Sequence, residues 1–258
     1  MPDFLDTLAE DAKATVASGY HEPPRKANII HASLKTAIAQ SRNAVIIEVK
    51  AASPSAGTIR KDFDAGKIAQ AMAQGGAVGI SVLTEPKHFN GSFSNLRSVR
   101  AAVNLPILMK DIVVSPLQLS AAARAGANAV LLIQALFDRE HCKQSLSDMI
   151  ADAHARKLEV LLETHNADEF RRAANSDADL VGINNRDLGT LKINLQVTKR
   201  ILARNDSKGK PVVSESGVQT AADVRFLRDC GAQAILVGSA VMQAEDVEAK
   251  VRELVEAK

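Results

Sequence analysis

Ala125-Gly-Ala-Asn-Ala-Val-Leu-Leu-Ile133 and, further along, Cys230-Gly-Ala-Gln-Ala-Ile-Leu-Val-Gly238 share one pattern: a small residue, glycine, alanine, a polar residue and then an apolar run. Each is preceded by a stretch of helical period, Leu117–Ala125 in the first and Asp223–Asp229 in the second. The glycine is placed where such helices stop. The apolar run that follows reads as a strand buried on both faces, as parallel strands are. The two segments are an internal echo of one strand–helix module.

Six more runs of the same kind flank these two. The expected strands are Ala44–Lys50, Gly79–Thr84, Ile107–Lys110, Ala129–Ile133, Glu159–Glu163, Leu180–Asn184, Pro211–Ser214 and Ala234–Gly238. Their starts are about 20 to 35 residues apart, the size of a βα unit. Eight such units predict an α/β fold of the (β/α)8 TIM-barrel type. A doubly wound sheet needs a glycine-rich turn after its first strand, whereas here that strand runs Glu48-Val-Lys50-Ala-Ala-Ser53-Pro54. Residues 1–43 read as an N-terminal helical extension packed on the barrel of residues 44–258. Phe4, Leu5, Leu8 and Ala12 share a helical face, Pro23-Pro24 breaks the chain, and a second helix is expected over His31–Gln40.

Composition narrows the function. The 258 residues carry 32 Lys+Arg against 30 Asp+Glu, a net charge of +2, and only 3% aromatic residues without tryptophan. Neither a basic stripe nor stacking platforms for nucleic acid are expected. No apolar run approaches the roughly 18 residues of a membrane span. The opening Met1-Pro-Asp-Phe-Leu-Asp has no apolar signal core, and Cys142 and Cys230 are far apart. A reducing cytoplasm is the expected location. The histidines at 21, 31, 88, 141, 154 and 165 lack HxxxH or HExxH spacing, so no metal site is expected. His165 reads as a surface histidine. The oligomeric state reads as monomer or weak homo-oligomer.

In such a barrel the chemistry lies at the C-terminal ends of the strands. Those ends carry Glu48 and Lys50, Lys110-Asp111, Glu163, Asn184-Asn185-Arg186, Ser214-Glu215-Ser216-Gly217 and Gly238-Ser239. Glu48 and Lys50 are two residues apart and point the same way. Lysines and glutamates converging on one mouth shift each other's pKa values in both directions, which suits acid–base work. Ser216-Gly217 and Gly238-Ser239 follow the seventh and eighth strands, a recurrent phosphate site where backbone N–H groups approach an anion. Ser53, after the first strand, is adjacent in a closed barrel and adds a hydroxyl. Phe89, before Asn90-Gly91, is either a wall for an aromatic substrate or a loop anchor.

Glu48-Val-Lys50-Ala-Ala-Ser53-Pro54-Ser55, Ser81-Val-Leu-Thr84-Glu85 with Phe89-Asn-Gly91, Lys110-Asp111, Leu162-Glu163, Gly182-Ile-Asn184-Asn-Arg186-Asp187-Leu188, Ser214-Glu215-Ser216-Gly217 and Val237-Gly238-Ser239 together resemble the indole-3-glycerol phosphate synthase family. The resemblance implies a carboxy-lyase of tryptophan biosynthesis that needs no cofactor. Its substrate would be 1-(2-carboxyphenylamino)-1-deoxyribulose 5-phosphate, closed to indole-3-glycerol phosphate with loss of CO2 and water. It further implies Lys110 as general acid, Glu163 as general base and Lys50 on the substrate carboxylate. Glu48 and Glu215 would orient the lysines, and Asn184 would hydrogen-bond the sugar chain. Ser53, Ser216, Gly217, Gly238 and Ser239 would hold phosphate, with Phe89, Leu131 and Arg186 completing the substrate site. Members often carry lysines where this chain has Ala51 and Ala56, and an aromatic residue where it has Ile112. A phosphoribosylanthranilate isomerase would instead need a cysteine at the end of the first strand. A barrel that only binds a phosphorylated ligand would not need Lys50, Lys110 and Glu163 in one mouth.

Overall fold

Alternating apolar residues split each strand between two environments. Val45, Ile47 and Val49, with Ile80, Val82, Val130, Leu132, Val160 and Leu162, belong to a core that also takes in the surrounding helices. Ile46, Leu108, Leu131, Leu161, Leu180, Val213 and Leu236 belong to a second core, the barrel lumen. Strands buried on both faces mark a parallel sheet covered by helices, and closing that sheet into a barrel leaves no edge strand unpaired.

The computed structural model describes residues 3–22, 27, 30–53, 57–60 and 63–257, the side chain of Ser53 excepted. The Ser53 hydroxyl, Ala56 and the expected break at Pro23-Pro24 therefore lie outside the described residues. The barrel strands are β1 (Ala44–Val49), β2 (Gly79–Leu83), β3 (Ile107–Lys110), β4 (Ala129–Ile133), β5 (Glu159–Thr164), β6 (Leu180–Asn184), β7 (Val212–Glu215) and β8 (Ala234–Val237). They pair in sequence order, all parallel, and β8 closes onto β1 through Ala44↔Ala234 to Ile47↔Val237. This is a (β/α)8 TIM barrel. Lys50, Thr84 and Gly238, expected within strands, lie one residue past the ladder, where the chain turns into its loop. Pro211 also falls outside its strand, having no N–H to give the ladder.

The echo of the opening segments is visible in the helices. Pro116–Ala125 starts on a Ser115/Gln118 capping box and stops at Gly126, whose φ of 91° is a left-handed cap. Ala221–Asp229 starts on a Thr220/Asp223 capping box.

Two helices precede β1. Helix α1 (Phe4–Ala17) begins on a capping box formed by Asp3 and Asp6 and buries Leu5, Leu8, Ala9 and Ala12. Each buried leucine stabilises by roughly 1.5–3 kcal/mol. The helix is pinned from two sides. Asp6 pairs with His141 (2.9 Å) and Arg139 (3.1 Å), while Asp11 pairs with Lys87 (2.6 Å) and His88 (2.7 Å). Helix α2 (Leu34–Ala39) is shorter than the His31–Gln40 expected, because Ser33 caps it. It sits at the opposite end of the barrel: Leu34 packs on Gly79 at the start of β2, and Glu159 at the start of β5 accepts hydrogen bonds from the backbone N–H of Leu34 (2.7 Å) and Lys35 (3.1 Å).

Candidate active site

Glu48, Lys110, Glu163, Asn184 and Glu215 project from the last turns of β1, β3, β5, β6 and β7, in register with the lumen-facing residues below them. They meet at the C-terminal mouth. Lys110 Nζ lies 2.7 Å from Glu215 Oε2 and 3.5 Å from Glu48 Oε2, and Lys50 Nζ lies 3.0 Å from Glu48 Oε1. Asn184 stands opposite Glu215 in the β6–β7 register and lies near enough to Glu163 to help hold its pKa down. Its Oδ1 also accepts the backbone N–H of Arg186 (3.0 Å).

Two glycines make this crowding possible. Gly182 lies opposite Glu163 on β6, and a Cβ there would fall on Glu215 Oε1. At Gly238 a Cβ would come within 2.7 Å of Glu48 Oε1 and 3.0 Å of Lys50 Nζ. The sequence thus leaves two side chains out of the barrel end so that carboxylates and a lysine can occupy their space.

The charges bias one another. Burial works against the Lys110 ammonium, but the carboxylates of Glu215, Glu48 and Glu163 outweigh it and push its pKa above the ordinary value. Burial raises Glu215, and repulsion from Glu163 and Glu48 adds to it against the pull of Lys110, leaving its pKa at about 7. Glu163 goes the other way: burial is overcome by His165, Lys110 and Asn184, and its pKa falls to about 2. Of the three carboxylates, Glu215 is the one that takes a proton most readily.

Glu48, Lys50, Lys110, Glu163 and Asn184 line an open-mouthed cavity of about 760 Å³, solvent at the mouth included, while Glu215 is fully buried beneath it. One wall is apolar, built from Phe4, Leu8, Phe89, Ile112, Leu131, Ile133, Leu188 and Leu191. Phe89 therefore stands at the cavity. Its loop is held by Glu85, which accepts the backbone N–H groups of Lys87, His88 and Phe89 at 2.7–3.0 Å. An adjoining cavity of about 420 Å³ shares Glu48, Lys50, Lys110, Arg186 and Ser216 and extends to Gly217, Gly238 and Ser239. Ser216 and Gly217 both have positive φ, 68° and 98°. Asn185 braces that turn by donating to the carbonyls of Glu215 (3.0 Å) and Ser216 (3.2 Å).

His165 is a correction. It is not a surface residue: its side chain is only 14% exposed and stands 3.3 Å from Glu163 Oε1 and 3.3 Å from Glu169 Oε2. The two-residue alternation that turns Lys50 to the same side as Glu48 also turns His165 to the side of Glu163, and it continues one residue beyond β5. Phe4 and Leu8 were legible as a helix face, but not as part of the cavity wall.

Among the described residues, no group of three His, Cys, Asp or Glu is arranged to hold a metal ion, and no helix is long and apolar enough to cross a membrane.

Comparison with known proteins converges on one family. A relative from Roseiflexus sp. (strain RS-1) is 43% identical over 218 residues, covering 82% of this chain and 80% of its own. One from Verminephrobacter eiseniae is 40% identical over 262 residues, covering 95% and 96%, and one from Methanocaldococcus jannaschii is 43% identical over 216 residues, covering 83% and 78%. All three are named indole-3-glycerol phosphate synthase. Among solved structures, thiamine phosphate pyrophosphorylase from Pyrococcus furiosus matches with a TM-score of 0.60 at 17% identity, over 83% of this chain and 95% of that one. At that identity the likeness shows the barrel alone. The family model described as indole-3-glycerol phosphate synthase matches residues 5–254, and the chain belongs to that family.

Proposed function

We propose that the chain catalyses the decarboxylating ring closure and dehydration of 1-(2-carboxyphenylamino)-1-deoxyribulose 5-phosphate to indole-3-glycerol phosphate, a step of tryptophan biosynthesis. The observation that carries the reading is a single mouth with three parts: an apolar wall, a cluster of lysines and carboxylates, and a glycine-lined cup beyond them. The substrate has the same three parts in the same order: an arene, a reacting carbonyl and carboxylate, and a phosphate.

The phosphate goes to the turns Ser216-Gly217 and Gly238-Ser239, where backbone N–H groups can reach it. The arene lies against Phe89, Leu131 and the other apolar residues. Lys50 takes the substrate carboxylate, and Arg186 sits between the two cavities. The ring carbon bearing the carboxylate attacks the ketose carbonyl. Lys110 gives its proton to the oxygen as negative charge develops there, in a site of low dielectric where such a charge is strongly stabilised. The carboxylate leaves as CO2 and its bonding pair returns to the ring. Lys50, released from the departed carboxylate, gives the new hydroxyl the proton with which it leaves as water, and Glu163 removes the proton from the neighbouring carbon that completes the indole. Glu48 and Glu215 hold the two ammonium groups in place. The sequence of steps is redox-neutral.

The extension of residues 1–43 and the barrel of residues 44–258 act as one unit, because α1 supplies Phe4 and Leu8 to the cavity wall. The reading carries with it a cytoplasmic enzyme, monomeric or weakly self-associating. Among the described residues the exposed large hydrophobics are Leu117 and Ile193, which supports that reading. The test is to mix purified protein with substrate and follow indole fluorescence. Turnover is expected, and its absence sinks the assignment in favour of a barrel that only binds a phosphorylated ligand.

A further inference from the structure

Three buried carboxylates share the mouth, and they do not share their cations evenly. Glu48 contacts both lysines and Glu215 contacts Lys110. Among the described residues, the cation within 4 Å of Glu163 is His165. Its Nε2 is 3.3 Å from Glu163 Oε1, within ion-pair range though off the line of a hydrogen bond. Behind the ring stands Glu169, on the helix Ala167–Ala174 that follows β5. Glu169 Oε2 faces His165 Nδ1 at 3.3 Å and accepts the backbone N–H of His165 at 2.8 Å, while Glu169 Oε1 accepts from Asn166 Nδ2 at 2.6 Å. Asn166 caps that helix, so the back of the ring is tied to a fixed element.

We propose that His165, clamped from behind by Glu169, is a positioning residue that holds the Glu163 carboxylate in place and ionised at the barrel mouth. This rests on Glu163 being the base of the reaction described above. Both ring nitrogens stand 3.3 Å from a carboxylate oxygen, Nδ1 in a hydrogen bond and Nε2 at ion-pair range, and two anions so close favour the imidazolium. Burial alone would discharge it, but its pairing with Glu163 and Glu169 outweighs burial and places its pKa at about 10. The groups facing it are Glu163 on β5, the strand that ends one residue before it, Glu169 on the following helix, and Asp187 in the loop after β6, whose carboxyl it helps to lower. Lys110 and Asn184 also help to lower the pKa of Glu163. The arrangement gives Glu163 a positive neighbour that is not one of the lysines. Lys110 can then turn to the substrate carbonyl without Glu163 losing its charge. A base must be ionised before it can accept a proton, and the imidazolium ensures that it is.

The sign for pH follows. Activity falls as pH drops through the pKa of Glu163, and loss of a neighbouring positive charge raises that pKa. The acid limb of kcat therefore moves to higher pH when His165 is replaced. The experiment compares the wild type with His165→Ala, His165→Gln and Glu169→Gln. His165→Ala is expected to lose kcat by roughly tenfold to a hundredfold, the scale of a reactive group misplaced by about 1 Å, with KM changed much less. Its acid limb should move up by at least about one pH unit. His165→Gln keeps a donor near Glu163 but no charge, so it should recover part of kcat and retain the shifted limb. Glu169→Gln should show the same changes in weaker form.

A second readout needs no turnover: carbon NMR of labelled glutamate, with Glu163 assigned by loss of its signal in Glu163→Gln, follows titration of the Glu163 carboxyl. Its midpoint should rise in His165→Gln. If the wild type turns nothing over, the function above fails while this titration still tests the clamp. If His165→Ala does not fold, His165→Gln and Glu169→Gln decide. An unmoved Glu163 midpoint overturns the proposal, as does a variant that only melts earlier while keeping its kcat and pH profile.

Discussion

Lys110 Nζ and Glu215 Oε2 lie 2.7 Å apart although 105 residues separate them in the chain. The contact joins the ends of β3 and β7, which do not pair with each other in the barrel. It is made across the mouth, with Glu48 Oε2 at 3.5 Å from the same nitrogen. A cation so placed keeps three buried carboxylates from confronting one another.

Lys110→Ala removes the proposed acid and should lower kcat by roughly a hundredfold to ten-thousandfold. The fold should survive, because Glu215 can take up a proton in place of its lost partner. The check is steady-state kinetics beside a far-UV circular dichroism spectrum. Near-normal turnover would mean that the acid lies elsewhere.

The Glu215 carboxyl carries its own pH signature. Its pKa of about 7 in the folded protein is above the 4.5 of a free glutamate. Between those values the folded state binds the additional proton, so this group's contribution to stability declines as pH rises from about 4.5 to 7. Glu215→Gln cannot titrate. The difference in Tm between Glu215→Gln and the wild type should therefore grow in favour of the variant from about pH 5 to pH 7.5. A constant difference across that range would show that Glu215 titrates normally.

Gly182→Ala puts a methyl group where Glu215 Oε1 now sits. Overpacking of this kind costs roughly 1–3 kcal/mol, which a denaturant titration reads directly. The displaced carboxylate should drag Lys110 with it, so kcat should drop as well. Loss of stability with unchanged kcat would refute the link between this glycine and the acid.

The glycine-lined cup should recognise inorganic phosphate by itself. Phosphate is expected to inhibit competitively, and Gly238→Ala, which crowds Glu48 and Lys50, should weaken both phosphate and substrate. Noncompetitive inhibition would place the anion outside the substrate site.

Much of this was legible from residue order alone. β3, β4 and β6 fall where their apolar runs end, because a strand buried on both faces has no polar residue inside it to blur the boundary. Glu48, Lys110, Glu163 and Glu215 announced themselves as charges at the ends of such runs. The contacts among them are long-range, and their partners follow only once closure of the barrel sets the register. His165 was missed because a histidine just past a strand resembles a solvent-facing turn residue; the carboxylate that buries it comes from the next helix. The grip on α1 was equally hidden. Asp6, Asp11, Lys87, His88 and His141 are ordinary surface charges until the helix is laid across the mouth.

The anchoring of α2 by Glu159 has a consequence for the nascent chain. Glu159 is 125 residues beyond Leu34, so the helix leaves the ribosome long before its acceptor exists. The lumen leucine at 161 and the cap at the opposite end of the barrel become available together. Helix α2 can meet Gly79 early, but it must wait through two further strands and the start of β5 before Glu159 can anchor it, and contacts of such sequence separation slow folding. A chain stalled before β5 would leave the first N–H groups of α2 without their acceptor, so that this end of the helix could fray.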